Sequence, residues 1–166
     1  MHRSLSLLAL VALFVGVSYA DQDIYVDDGL SSGWENWSWG TDINFAATDS
    51  AEGLSSISLT STAYSALSLK AETIFGSTFA GLKFDILGDN PDIQFYIQST
   101  TDSAQSATIP LSAMSTAVNA NTWTTILLDF SALPPSGAPL GSGTWDRLNF
   151  QAGGSGASVR CLAFCL

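Results

Sequence analysis

Two stretches of this chain alternate apolar and polar residues so regularly that they can only be strands. In Gly81–Leu87, Leu82, Phe84 and Ile86 fall on one side and Lys83 and Asp85 on the other. Gly88-Asp89-Asn90-Pro91 then reads as a turn. In Asp92–Gln98, Ile93, Phe95 and Ile97 oppose Gln94, Tyr96 and Gln98. A period of two places successive side chains on opposite sheet faces, and a helix would scatter them. The same pattern predicts strands at Asp23–Val26, Trp34–Trp39, Ile43–Ala46, Ser56–Thr60, Ala66–Ala71, Thr108–Leu111, Trp123–Phe130, Trp145–Gln151 and Ser158–Leu166. Pro134-Pro135-Ser136-Gly137 is a loop. About ten short strands, with turn signals every 8–12 residues or so, predict an all-β chain. The fold expected is a two-sheet jelly-roll β-sandwich with one core between its layers.

The first 20 residues have the order of a secretory signal peptide. His2 and Arg3 form a basic start, Leu5–Val17 is apolar, and Ser18-Tyr19-Ala20 supplies small residues for cleavage before Asp21. The expected division is therefore 1–20 as signal and 21–166 as a single secreted, extracellular domain. The apolar stretch is short for a membrane span, and no later stretch approaches that length. The formal net charge is −10, and cleavage would also remove Arg3. Lys70, Lys83, Arg147 and Arg160 are scattered singly, which disfavours nucleic acid and anionic membranes as partners.

His2 is the single histidine and would leave with the signal. The mature chain then has no imidazole for a Ser-His-Asp or Cys-His nucleophile, or for a zinc or copper site. Glu35, Asp42, Glu52 and Asp85 are acids near candidate surfaces, but no spacing selects a catalytic pair. Cys161 and Cys165 invite a disulfide in a secreted protein. In an extended tail they stand about 13 Å apart, so a bridge needs a turn. Free thiols and intermolecular pairing stay equally open.

Three of the five tryptophans crowd into Trp34-Glu35-Asn36-Trp37-Ser38-Trp39-Gly40. In a strand, Glu35, Trp37 and Trp39 share a face that Trp34 opposes, so at least one ring belongs to the core. An exposed ring can stack on the C–H face of a sugar while neighbouring amides and carboxylates engage its hydroxyls. Trp37, Trp39 and Glu35 are candidates for this. Gln94, Tyr96 and Gln98 are candidates as the polar side of a middle strand, on a broad face with Lys83, Asp85, Asn149 and Gln151. The bland alternatives are core packing for the rings and an ordinary solvated face for the rest. Asn36-Trp37-Ser38 is an N-glycosylation motif, which would crowd a nearby binding face if used and stay silent if Asn36 is buried. Asp27 and Asp28 could offer oxygens to calcium with help from Asp146 or a backbone carbonyl, or could simply form a polar turn before Gly29.

Several segments resemble known secreted proteins. They are Ile24-Tyr25-Val26-Asp27-Asp28-Gly29-Leu30, Gly33-Trp34-Glu35-Asn36-Trp37-Ser38-Trp39-Gly40 and Ile43-Asn44-Phe45-Ala46. Together they resemble the opening of β-sandwich carbohydrate-binding modules attached to carbohydrate-active proteins. Gly81-Leu82-Lys83-Phe84-Asp85-Ile86, Thr122-Trp123-Thr124-Thr125-Ile126, Asp129-Phe130-Ser131-Ala132-Leu133 and Asp146-Arg147-Leu148-Asn149-Phe150-Gln151 fit the same pattern. Such modules usually close on an aromatic strand and paired aspartates that help hold structural calcium. The tail Ser158–Leu166 departs from this, carrying no acid.

The expected function is non-catalytic binding of a polysaccharide or cell-wall glycan by a secreted monomer, with no cofactor required and a structural calcium possible. The alternatives are a secreted structural or protein-interaction sandwich without a sugar site, and a small glycan-active enzyme.

Overall fold

The computed structural model describes residues 21–51, 53–75, 79, 81–88, 92–100, 105, 108–114, 118, 122–130 and 145–165. The expected signal segment 1–20, Glu52, the turn expected at Asp89-Asn90-Pro91 and the loop expected at Pro134–Gly137 lie outside the described residues. The strands, in chain order, are β1 (Tyr25–Val26), β2 (Gly29–Leu30), β3 (Trp34–Asn36), β4 (Trp39–Ala47), β5 (Ser56–Phe75), β6 (Gly81–Gly88), β7 (Ile93–Gln98), β8 (Ile109–Pro110), β9 (Thr124–Asp129), β10 (Trp145–Ala152) and β11 (Ala157–Cys165). One helical turn, α1, covers Leu111–Met114. No helix among the described residues is long and apolar enough to cross a membrane.

The strand predictions at 56–60 and 66–71 need correction, because β5 is one continuous strand of 20 residues. Its first half pairs with β4 and β11, and its second half with β3 and β10. β5 therefore belongs to both layers of the sandwich. One layer runs β8-β7-β10-β5-β3, and the other runs β4-β5-β11-β6-β9. The change of partners falls near Tyr64, which has a left-handed backbone (φ 62°). There Ser65 Oγ donates to the Thr62 carbonyl at 2.6 Å, and Tyr64 N donates to the Gly153 carbonyl at 3.3 Å. The partner strand bends with it. Between Trp39 and Thr41 the register against β5 jumps from Ala66 to Ser61. Gly40 takes φ 63° at that jump, where a Cβ would stand 2.9 Å from Ser65 Cβ.

The layers close on an aromatic core. Phe84 of β6 meets Phe150 of β10 edge-on at 5.1 Å, and Phe95 of β7 lies 5.1 Å from the same ring. All three rings are fully buried. Burial of each such side chain contributes roughly 1.5–3 kcal/mol. Trp34 is 7% exposed and belongs to this core, together with Leu67, Leu69 and Leu148.

Three further expectations change in detail. Trp34–Trp39 is split by a break at Trp37-Ser38, and Gly40 lies inside β4. The short segment at 23–26 becomes half of the β1–β2 hairpin. The tail lies deep in its layer, with β11 paired to β5 on one side and to β6 on the other. As β11 runs from Cys161 to Cys165, its β6 partners run from Ile86 to Lys83. A register shift falls between Leu162 and Cys165.

Gly156 (φ 73°) turns the chain from β10 into β11, and a Cβ there would come 2.6 Å from the Ser61 carbonyl oxygen. Gly156→Ala should cost about 1–3 kcal/mol. The expected result in a urea titration is a lower midpoint at an unchanged slope.

Candidate functional site

Strand register assembles one polar face from β3, β5, β10 and β7, which Trp39, at the start of β4, borders through its pairing with Ala66. Glu35 pairs with Lys70, Lys70 with Arg147, and Arg147 with Gln98. Two residues along, Trp37 N donates to the Ser68 carbonyl, Ser68 pairs with Asn149, and Asn149 pairs with Tyr96. Two further along, Trp39 pairs with Ala66, Ala66 with Gln151, and Gln151 with Gln94. Rows two residues apart point the same way and lie about 7 Å apart. The intervening rows carry Leu69, Leu148, Ile97, Leu67, Phe150 and Phe95, which fill the core. Glu35, Trp37, Trp39, Gln94, Tyr96 and Gln98 thus stand together on the outer side of one layer.

The two indoles are the raised features of this face. Trp37 is 45% and Trp39 39% exposed, against 7% for Trp34. Neither ring is left to swing. Trp37 Nε1 donates to Glu35 Oε2 at 2.7 Å. Lys70 Nζ and the Arg147 guanidinium lie 4.9 and 4.7 Å from the Trp37 ring centre, close enough for cation–π attraction. Trp39 Nε1 donates to the Tyr64 carbonyl at 3.0 Å. The same carbonyl accepts from Gln151 Nε2 at 3.1 Å, and Gln151 Oε1 accepts from Gln94 Nε2 at 3.4 Å. Both N–H groups are thus used within the protein, and the rings offer their faces.

Between the rings and β7 lies a buried polar floor. Ser68 Oγ donates to Asn149 Oδ1 at 2.7 Å, and both residues are wholly buried. Arg147 Nη1 donates to Gln98 Oε1 at 3.2 Å. Asn149 Nδ2 and Arg147 Nε have no hydrogen-bond partner among the described residues. Tyr96 stands on the face, yet it is only 7% exposed and forms floor instead of platform. Burial raises its phenol pKa above the ordinary 10.0, and the nearby Arg147 charge opposes part of that rise.

Two residues expected on this face are elsewhere. Lys83 and Asp85 alternate correctly, but β6 belongs to the other layer. Asp85 is 4% exposed and accepts a hydrogen bond from Thr125 Oγ1. Lys70, Tyr64 and Arg147 were not among the candidates, and the β5–β10–β7 register sets Arg147 between Lys70 and Gln98. Lys70 is brought in by the β5–β10 register. Tyr64 is 65% exposed beside Trp39 and is placed there by the bend in β5.

Asp27 and Asp28 form the β1–β2 turn in left-handed conformations (φ 33° and 73°). Asp27 Oδ1 accepts from Leu54 N at 2.9 Å, and Asp28 N donates to Tyr25 Oη at 3.2 Å. Asp146 is engaged elsewhere, its two oxygens accepting from Thr100 N and Thr100 Oγ1. Among the described residues, no three His, Cys, Asp or Glu side chains group as a metal site.

No family model matches the chain, and neither does any curated protein. Several solved structures do match. A carbohydrate binding module of family 29 superposes with TM-score 0.63 at 18% identity, over 88% of this chain and 86% of that one. A CBM29-2 mutant complexed with mannohexaose gives 0.62 at 20%, over 90% and 92%. Another, complexed with cellulohexaose, gives 0.65 at 19%, over 90% and 92%. At this identity the likeness establishes a shared fold, the all-β sandwich.

The raised Tyr96 pKa has a definite sign. The folded protein holds the phenol proton more tightly than the unfolded chain does. The resulting stabilisation is present below pH 10 and is lost as pH rises through the folded value. Melting temperatures of the protein and Tyr96→Phe should therefore converge, or cross, as pH is raised beyond 10.

Proposed function

We propose that this protein binds carbohydrate, without catalysis, on the outer face of the β3-β5-β10-β7 layer, with Trp39 of β4 at its margin. The observation that carries the reading is the pair of half-exposed indoles on one face, each with its N–H tied down internally. A ring held this way loses little freedom when a ligand stacks on it, so most of the contact energy remains as affinity. Trp37 and Trp39 stack on sugar C–H faces. Tyr64, next to Trp39, extends the aromatic row. Gln94, Gln98, Arg147 and Lys70 engage hydroxyls around the rings, and Glu35 acts by orienting Trp37. The mannohexaose and cellulohexaose in the neighbouring structures support a linear hexose polymer as ligand. A cell-wall polysaccharide has this form.

The signal-like segment 1–20 supports a place outside the cell, where such polymers occur. We take the working unit to be a monomer. Calcium, if bound, would act away from the aromatic face, at the Asp27–Asp28 turn.

Trp37→Ala and Trp39→Ala should each weaken retention on insoluble cellulose or mannan at least tenfold, about 1.4 kcal/mol. Their unfolding midpoints should stay near that of the parent protein. Trp34→Ala, which empties part of the core, should lose about 3–5 kcal/mol of stability. Tyr64→Gly relieves a left-handed tyrosine, so it should weaken binding without loss of stability. Undiminished binding by the Trp37 and Trp39 variants would overturn the reading.

A further inference from the structure

We propose that Asn36 is a site of N-glycosylation, and that its glycan lies off the aromatic face. The motif Asn36-Trp37-Ser38 supplies the acceptor pattern, and the structure supplies access. Asn36 is exposed at the end of β3. Its Oδ1 accepts from Ser38 N at 3.1 Å and from Ser38 Oγ at 2.6 Å. Both contacts use the oxygen, so Nδ2 remains for chemistry. Ser38 Oγ in turn accepts from Ser68 N at 3.0 Å, which anchors the motif to β5.

The reaction fits this geometry. Nδ2 attacks the anomeric carbon of a lipid-diphosphate-linked oligosaccharide. The C1–N bond forms, the C1–O bond to the diphosphate breaks, and the amide gives up one proton as the lipid diphosphate departs. Oδ1 is unchanged, so both hydrogen bonds to Ser38 survive.

Register decides where the glycan goes. Asn36 pairs with Leu69, as Trp34 pairs with Ala71. Asn36 therefore has the parity of Trp34, opposite to Glu35, Trp37 and Trp39. The crowding expected from the motif's position in the sequence does not arise. Among the described residues β3 pairs as a strand with β5, and Trp34 N donates to the Ser31 carbonyl at 3.0 Å.

The test is expression of the full chain in a eukaryotic secretory host, followed by intact mass and peptide mapping before and after an N-glycan amidase. The expected result is one glycan on the Asn36 peptide, converted to aspartate by the amidase and absent from Asn36→Gln. An unmodified Asn36 peptide overturns the proposal. So does a chain that never enters the secretory lumen, since the acceptor would never meet the donor. Placement is tested separately by acrylamide quenching of tryptophan fluorescence. Quenching should be equal with and without the glycan, whereas a twofold or greater loss of accessibility in the glycosylated form would put the glycan over Trp37 and Trp39.

Discussion

The bend at Tyr64 governs both the sandwich and its outer face. One strand contributes hydrogen bonds to both layers, and a single left-handed residue accompanies the transfer from one to the other. A left-handed tyrosine costs on the order of 1–3 kcal/mol. The return is local. The exposed carbonyl of that residue accepts from Trp39 and Gln151, which come from β4 and β10. Backbone geometry and side-chain order on the face are thus coupled through one oxygen atom.

The same face contains an arrangement that pure stability would avoid. Ser68 and Asn149 are wholly buried polar side chains on the solvent side of a sheet, and Asn149 Nδ2 lacks a partner among the described residues. A buried donor without an acceptor costs about 1–3 kcal/mol. The rows on either side, which face the core, carry apolar residues such as Leu67, Leu69 and Leu148 instead. Polar floor, tethered rings and cations beside Trp37 occur on one side of one layer. This concentration supports a recognition role for the face over a merely solvated one.

Alternation made part of this legible in the sequence. Period two placed Glu35, Trp37 and Trp39 together, set Trp34 against them and put Phe84 and Phe95 on the apolar sides of their strands. It also grouped Gln94, Tyr96 and Gln98. It could not say which layer a strand joins, so Lys83 and Asp85 were grouped with a face they do not share. Nor does parity report burial. Tyr96 points outward and is still covered. The turn at Tyr64 was hidden because no glycine or proline marks it, and its polar neighbours suggested a gap between two strands. Lys70 became visible only when the β5–β10 register set it beside Arg147.

The central position of β11 has a consequence for the order of events during folding. Residues 157–165 sit between β5 and β6, which precede them by many residues in the chain. Until they arrive, those two strands have no common neighbour, and their layer cannot close over Phe84 and Phe150. Pairings this distant along the chain are slow to form. A growing chain must therefore keep the β5 and β6 edges apart until residues 157–165 have been made.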